Sequence, residues 1–443
     1  MSRTAAVIGA GLAGSSAALG LARAGFRVTL YSDRERADLR DALPATGTAV
    51  YFGNDARAAD ARVAEDHYAD SHHSLGNSVR IHAADGSPAI AFDGAFTYRA
   101  QAVDVRLRTD DRIGDFLDAG GTFEVRPIDP EALDRIAADA DLTVVATGKG
   151  ALASLFPVDE QRSVYRTPQR QLLTVTLAGL DYSPEPWAYR TDRGGDYNLF
   201  NIHATQGEIW IGPYLHKDAG PAWSLLGWAR PDGEWPARFD RATDAASARQ
   251  VFVDLIRDYF PDDLPTVERL QVIDADPQSW LRGAVTPTVR RPVGSTASGH
   301  PVAAIGDTAI AFDPITGQGA QNSIIQVADL VEAAADHTGP FTEQWLREQF
   351  DRHWERRGLG ASEVTRLYLG DPDYAVHAEL AFPAAAVSPA VAQSLFTLLD
   401  VPNPILDVRT REEVLGFIGA VAGEPAEDVL ARFEPGFASA ARL

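Results

Sequence analysis

Three glycine-bearing segments have the composition and spacing to hold a dinucleotide. A short apolar run, Ala5-Ala6-Val7-Ile8, reads as a buried strand and leads directly into Gly9-Ala10-Gly11-Leu12-Ala13-Gly14, a complete G-x-G-x-x-G. Gly9 makes the tight turn, Gly11 lets the backbone approach a pyrophosphate, and Gly14 lets the next helix pack on the strand. Leu12 and Ala13 then open that helix, whose free N–H groups and partial positive charge face the phosphates. Ser15 to Ala24 have helical character, Gly25 closes the helix, and Phe26 to Tyr31 read as a second strand. Strand, glycine turn, helix and strand within about thirty residues is the context this motif requires. An acid commonly ends the second strand and binds ribose hydroxyls. Here Tyr31 is followed by Ser32 and then Asp33. Either Asp33 does this one place late, or Ser32 and a water do it, or Asp33 is an ordinary surface acid.

Two later segments favour FAD over a nicotinamide dinucleotide. Asp141 to Gly148 form an apolar strand that closes on Ala146-Thr147-Gly148, an ending typical of doubly wound folds that bind FAD. Val302 to Ile305 form another, with Gly306-Asp307 at its end, where an acid can hold a ribityl hydroxyl. Asp313-Pro314 and Gly317-Gln318-Gly319 then lead into a helix over Ala320 to Ala335. The N–H groups at such a helix start suit the anionic edge of a flavin ring.

Together, Gly9–Gly14, Asp141–Gly148 and Gly306–Gly319 resemble the FAD-dependent aromatic hydroxylase superfamily. Four stretches narrow the resemblance to the styrene and indole monooxygenases: Gln101-Ala102-Val103-Asp104-Val105-Arg106-Leu107, Thr147-Gly148-Lys149-Gly150-Ala151-Leu152, Thr167-Pro168-Gln169-Arg170, and Asp313-Pro314-Ile315-Thr316-Gly317-Gln318-Gly319-Ala320. The resemblance runs in order from residue 3 to about 335, and beyond 345 helical character alone carries it. It implies the oxygenase half of a two-component system. A separate NAD(P)H-flavin reductase supplies reduced FAD, O2 turns it into a C4a-hydroperoxyflavin, and the distal oxygen passes to an alkene such as styrene or indole, giving an epoxide. It also implies residue roles. Gly317, Gln318, Gly319 and Ala320 surround the flavin through their backbone. Pro314 and Ile315 lie near the reacting oxygen, and Phe312 lines the pocket. Arg106 contacts the flavin from a helix; the alternative for Arg106, as for Arg108, is a solvated helix position.

Single-component hydroxylases carry a D-G segment with a nearby Arg that serves flavin and nicotinamide binding. The corresponding stretch, Gly148 to Phe156, has neither Asp nor Arg. We therefore expect no nicotinamide site. A single-component NAD(P)H-dependent aromatic hydroxylase, an N- or S-oxygenase and a non-catalytic flavin-binding protein are the alternatives. A flavin-dependent halogenase would need a lysine by the flavin tunnel and a W-x-W-x-I-P segment. Trp223 and Trp228 do not form one, and Lys149 and Lys217 are poorly placed. Oxygen transfer to an alkene needs no general base, only a dry apolar pocket. Accordingly no acid–base pair stands out. The ten histidines show no metal spacing, and His72 and His73, being adjacent, cannot chelate together from a strand.

Composition agrees. The 443 residues carry 40 basic and 62 acidic side chains, a net charge of −22, which repels phosphate backbones and anionic lipid. We expect no nucleic-acid partner. There is no cysteine, so disulfides, thiolate metal sites and a Cys nucleophile are excluded. No stretch is apolar enough to span a membrane, and we expect a cytoplasmic protein.

These segments need a scaffold to bring them together. The pattern predicts an α/β fold: a discontinuous, doubly wound Rossmann-like FAD-binding domain (1–75, 100–160, 285–345), an inserted antiparallel β-sheet substrate domain (76–99, 161–284) and a helical C-terminal region (346–443). Within the insert, Leu172–Leu177 and Glu208–Gly212 read as strands, with turns at Asp181–Pro184 and Arg193–Gly195. Its aromatics Tyr197, Phe200, Trp210 and Tyr214 either wall an apolar pocket or form core, with Phe200 placed in the pocket. Residues 245–260 read as an amphipathic helix ended by Pro261. The C-terminal helices pack on the body or join two copies in a homodimer.

Overall fold

The computed structural model describes residues 2–44, 50–148 and 150–437. Six strands form one sheet in the order Val293–Ser295, Pro301–Ala304, Leu142–Val145, Thr4–Ile8, Arg27–Ser32, Thr122–Val125. All neighbours are parallel except the first pair. The central strands are unbroken apolar runs because helices cover both faces. On one face, helices Leu12–Arg23 and Gln318–Asp336 bury Leu19, Ile324 and Ile325 against Val7 and Val144. On the other, Leu133, Phe156 and Phe350 pack on Ile8 and Val145.

A second sheet has nine strands. Its path runs Gln271–Val272, Gln171–Ala178, Gly220–Ala229, Gly207–His216, Tyr197–His203, Ser74–His82, Pro88–Val103, Val50–Phe52, with Trp280–Ala284 also paired to Gln171–Ala178. It is antiparallel except where Ser74–His82 meets Tyr197–His203 and where Leu215 meets Val103. The alternation of each strand divides its two faces. Leu173, Val175, Leu177, Ile209, Ile211 and Leu225 face helix Ala245–Tyr259, sharing a core with Trp223, Phe239 and Phe252. Leu172, Thr174, Trp210, Leu226 and Trp228 therefore take the opposite face. This sheet reaches further than the boundaries read from sequence. Strand Pro88–Val103 keeps its buried alternation through Tyr98, Ala100 and Ala102, and Val50–Phe52 joins its edge.

Helix Glu343–His353 continues through a π turn, Trp354–Gly358, into Leu359–Leu369. Helices Ala375–Ala385, Pro389–Thr397, Arg411–Ala422 and Ala426–Leu430 follow. Their Leu395, Phe396 and Val414 share a core with Phe92, Phe96 and Tyr98 of the long strand, so this region packs on the body. Among the described residues, no helix is long and apolar enough to cross a membrane.

Candidate active site

Three adjacent parallel strands, Thr4–Ile8, Leu142–Val145 and Pro301–Ala304, end at one crevice, the place where open α/β sheets bind ligands. The turns leaving them are fixed side by side. Ala146 N–H donates to Ile8 O at 2.7 Å, Ile305 N–H to Val145 O at 3.1 Å, and Gly9 N–H to Tyr31 O at 2.9 Å. Gly9 has φ +106°, and a Cβ there would lie 2.6 Å from Ala146 O. A Cβ at Gly14 would lie 1.8 Å from Gly9 O, so only glycine lets the helix come this close. Gly11 differs: a Cβ there meets nothing within 4 Å. It leaves the backbone open beside the helix start at Leu12.

Across the crevice, Gly148 N–H donates to Thr308 Oγ1 at 2.8 Å, and Gly306 N–H to Gln326 Oε1 at 2.9 Å. A Cβ on Gly306 would sit 2.8 Å from Ala13 Cβ, which brings the first and third motifs into contact. Gly319 is as open as Gly11; the nearest atom to a Cβ there is Asp307 Oδ1 at 3.9 Å. Thr147 Oγ1 is buried with no hydrogen-bond partner among the described residues. Two open glycine backbones, two helix starts, an unpaired hydroxyl and an acid at Asp307 fit a long anionic dinucleotide such as FAD. At the other end, Ser32 is buried and its Oγ accepts Arg34 N–H at 3.1 Å, while Asp33 is exposed and lies 3.7 Å from Arg34.

The third motif turns a rigid corner. Asp313 Oδ1 accepts Ile315 N–H at 3.1 Å and caps the short turn Pro314–Thr316; Gly317, at φ +63°, then redirects the chain into helix Gln318–Asp336. Ile315 packs with Trp210, Leu226, Trp228 and Leu369, and Phe200 lies at the margin of the same cluster. The Phe200 and Trp228 rings stack at 5.8 Å. The Trp210 indole crosses Gly212 so closely that a Cβ there would fall 2.1 Å from its ring. Ile315 and Phe200 are thus brought together. Phe312 is not with them; it packs with Phe350 and Trp354 in the core beneath the first sheet. Tyr214 belongs to a separate small cluster with Ala102 and Ala222, and Tyr197 lies against Gly76.

Beside this apolar wall lies a carboxyl that the sequence reading treated only as part of a motif. Asp313 is fully buried, and the Trp228 side chain is among the groups that act on its carboxyl. Burial pushes the Asp313 carboxyl up to about 7, and the nearby Arg170 moderates the rise. Arg170 itself is held by Glu208 through two bonds of 2.9 and 3.0 Å.

Arg106 is engaged within the protein. It is buried, so it is not a solvated helix position. Its Nε donates to Asp104 Oδ1 at 3.0 Å, and its Nη2 to Asp104 Oδ2 at 2.8 Å and Asp276 Oδ2 at 2.7 Å. Its Nη1 reaches Leu43 O at 3.3 Å. Four of its five N–H donors are thus engaged within the protein, and one partner, Asp276, comes from the inserted sheet, far away in sequence. Arg108 is buried too, paired with Asp60. Lys149 lies outside the described residues. Among the described residues, no group of three or more His, Asp or Glu could hold a metal.

Residues 148–265 match the family "Styrene monooxygenase A putative substrate binding domain", and residues 4–58 match "Glucose inhibited division protein A". The chain is 24% identical over 375 residues to styrene monooxygenase StyA of Pseudomonas fluorescens, covering 83% of this chain and 86% of that protein. A second StyA, from a Pseudomonas species, matches to the same extent. In structure it is similar to 2-methyl-3-hydroxypyridine-5-carboxylic acid oxygenase in its tetrameric form (TM-score 0.59, 16% identity, 88% of this chain and 97% of that one). It is similar also to a variant of the halogenase PltM in complex with FAD (TM-score 0.60, 14% identity, 97% and 94%). The resemblance to the styrene monooxygenases read from the motifs is borne out. The fold is the α/β fold expected, and the geometry of the crevice fits FAD as its cofactor.

Proposed function

We propose that this flavin monooxygenase, a relative of the styrene monooxygenases, is the oxygenase component of a two-component system that epoxidises an alkene such as styrene or indole. The observation that carries the reading is the corner Pro314–Ala320 set against the apolar wall of Trp210, Leu226, Trp228 and Phe200. When bound, reduced FAD activates O2 and supplies an electrophilic oxygen atom. The protein's own groups do the rest. Backbone N–H groups at Leu12 and Ala13 hold the pyrophosphate, and Asp307 holds a ribityl hydroxyl. The start of helix Gln318–Asp336 presents N–H groups at Gly319 and Ala320 to the edge of the ring. Ile315 and the wall exclude water and seat an apolar substrate. An alkene has no proton to lose before it accepts oxygen, so the wall needs no base.

The absence of Asp and Arg from Gly148–Phe156 supports a separate reductase. The test is anaerobic. The FAD-loaded protein is mixed with NADH or NADPH and its visible absorbance followed. The flavin colour should persist until a flavin reductase is added, and admitting air should then convert styrene or indole to its epoxide. Rapid bleaching by NAD(P)H alone would sink the two-component reading, and oxygenation of a heteroatom with no epoxide would sink the substrate class.

A further inference from the structure

Gln318 sits in the corner, yet its side chain is fully buried and engaged within the protein. Its Nε2 donates to Leu399 O at 2.9 Å, and its Oε1 accepts from Arg357 Nη2 at 3.0 Å. Gln321, one turn on, adds to the same hold. Its Nε2 donates to Gly317 O at 3.1 Å, and its Oε1 accepts Gly53 N–H at 3.0 Å. Arg357 is itself buried, and its Nη1 donates to Asp400 O at 2.7 Å and Asp55 Oδ2 at 3.0 Å. Asp400 Oδ1 in turn accepts Asp55 N–H at 3.0 Å. One guanidinium therefore ties three segments that are distant in sequence: the corner, the start of helix Asn54–Val63, and the turn at 399–400. Arg357 stands in the π turn Trp354–Gly358. The extra residue in that turn changes the direction of the side chains within it, a feature frequent at functional sites.

We propose that Arg357 is a positioning residue for the flavin site. By gripping the Gln318 amide it fixes the peptide planes from Gly317 to Ala320, and so the direction in which the helix start presents its N–H groups. This rests on the crevice being the FAD site. A purely structural role, tying the C-terminal helices to the body, would lower stability and leave the bound flavin's environment unchanged.

The full-length protein carries the test. Apo wild type, Arg357→Met, Gln318→Met, the double variant and Asp55→Asn are titrated with oxidised FAD. Flavin fluorescence quenching gives the affinity, and the fine structure of the visible band reports the ring's surroundings. Thermal unfolding of each apo protein is measured alongside. Arg357→Met and Gln318→Met should each weaken FAD binding about tenfold and alter the band in the same way. The double variant should be no worse than either single, because the two act as one unit. Asp55→Asn, which keeps the Gln318 contact, should bind within about twofold of wild type. Wild-type affinity and band shape in Arg357→Met, or losses that multiply in the double variant, would overturn the proposal. Should Arg357→Met fail to fold, Gln318→Met decides: wild-type binding and band there overturn it equally. Failure of the wild type to bind FAD would instead strike the cofactor reading.

Discussion

Gly11 and Gly14 stand three positions apart and answer to different constraints. A methyl on Gly14 must displace the Gly9 carbonyl, whereas one on Gly11 meets open space at an ordinary φ of −72°. Gly14→Ala should therefore destabilise the protein by about 2 kcal/mol or more and lose FAD. Gly11→Ala should unfold within about 0.5 kcal/mol of wild type yet bind FAD at least about tenfold more weakly. Thermal unfolding with FAD titration checks both; normal binding by Gly11→Ala would place the pyrophosphate elsewhere. Asp313 makes a prediction of another kind. Its carboxyl holds a proton up to about 7 when folded, against 3.8 for an exposed aspartate. Between those values the native state binds the extra proton, so stability is fully present below the lower one and falls as pH rises through the window. It then levels off above about 7, a loss on the order of 4 kcal/mol. Asp313→Asn removes this dependence. Denaturant unfolding of both proteins at several pH values should show the curves diverging between pH 4 and 7, and parallel curves would mean that the carboxyl ionises normally.

The elements differ in how far the chain announces them. Strand, glycine turn, helix and second strand at the N-terminus are legible because they follow one another without interruption along the chain. In the inserted sheet, Leu172–Leu177 and Glu208–Gly212 are legible as strands from their composition and the turns near them. What alternation leaves open is which strands become neighbours. The wall under Ile315 joins Trp210, Leu226 and Trp228 across a strand register that only the folded sheet sets. Phe200, read as a pocket aromatic, lies at the margin of the cluster around Ile315, whereas Phe312, beside the same motif, packs in the other core. Arg106 shows the same limit, since nothing near V-D-V-R-L names Asp276 as its partner. The role of Arg357 left no local signal at all, because its partners lie at 55, 318 and 400. Gly212 is a test of the wall as an element. Alanine there must push the Trp210 indole aside. Gly212→Ala should shift KM for the alkene several-fold and leave the FAD affinity unchanged; an unchanged KM would remove Trp210 from the substrate's surroundings.

At the scale of the whole molecule, the C-terminal helices are part of the fold and not an appendage. They cover Phe92, Phe96 and Tyr98 of the long strand, and Arg357 and Leu399 hold Gln318 in the corner. A chain ending at residue 342 should therefore aggregate or elute as an expanded species on gel filtration and bind no FAD. A compact, FAD-binding product would contradict this. The π turn Trp354–Gly358 adds a condition on descent. Deleting one residue there would restore a regular helix, but everything beyond it would swing by about 100° and draw in by about 1.5 Å. The buried helix Leu359–Leu369 would present the wrong stripe to its neighbours. Exposed turns such as the one at Asp85–Ser87, where a Cβ on Gly86 meets nothing within 4 Å, have no such register to keep and tolerate changes in length. Along the lineages of this sequence, we therefore expect selection to hold the count of residues through the π turn constant while the outer turns of the inserted sheet absorb insertions and losses, which an alignment of relatives would check.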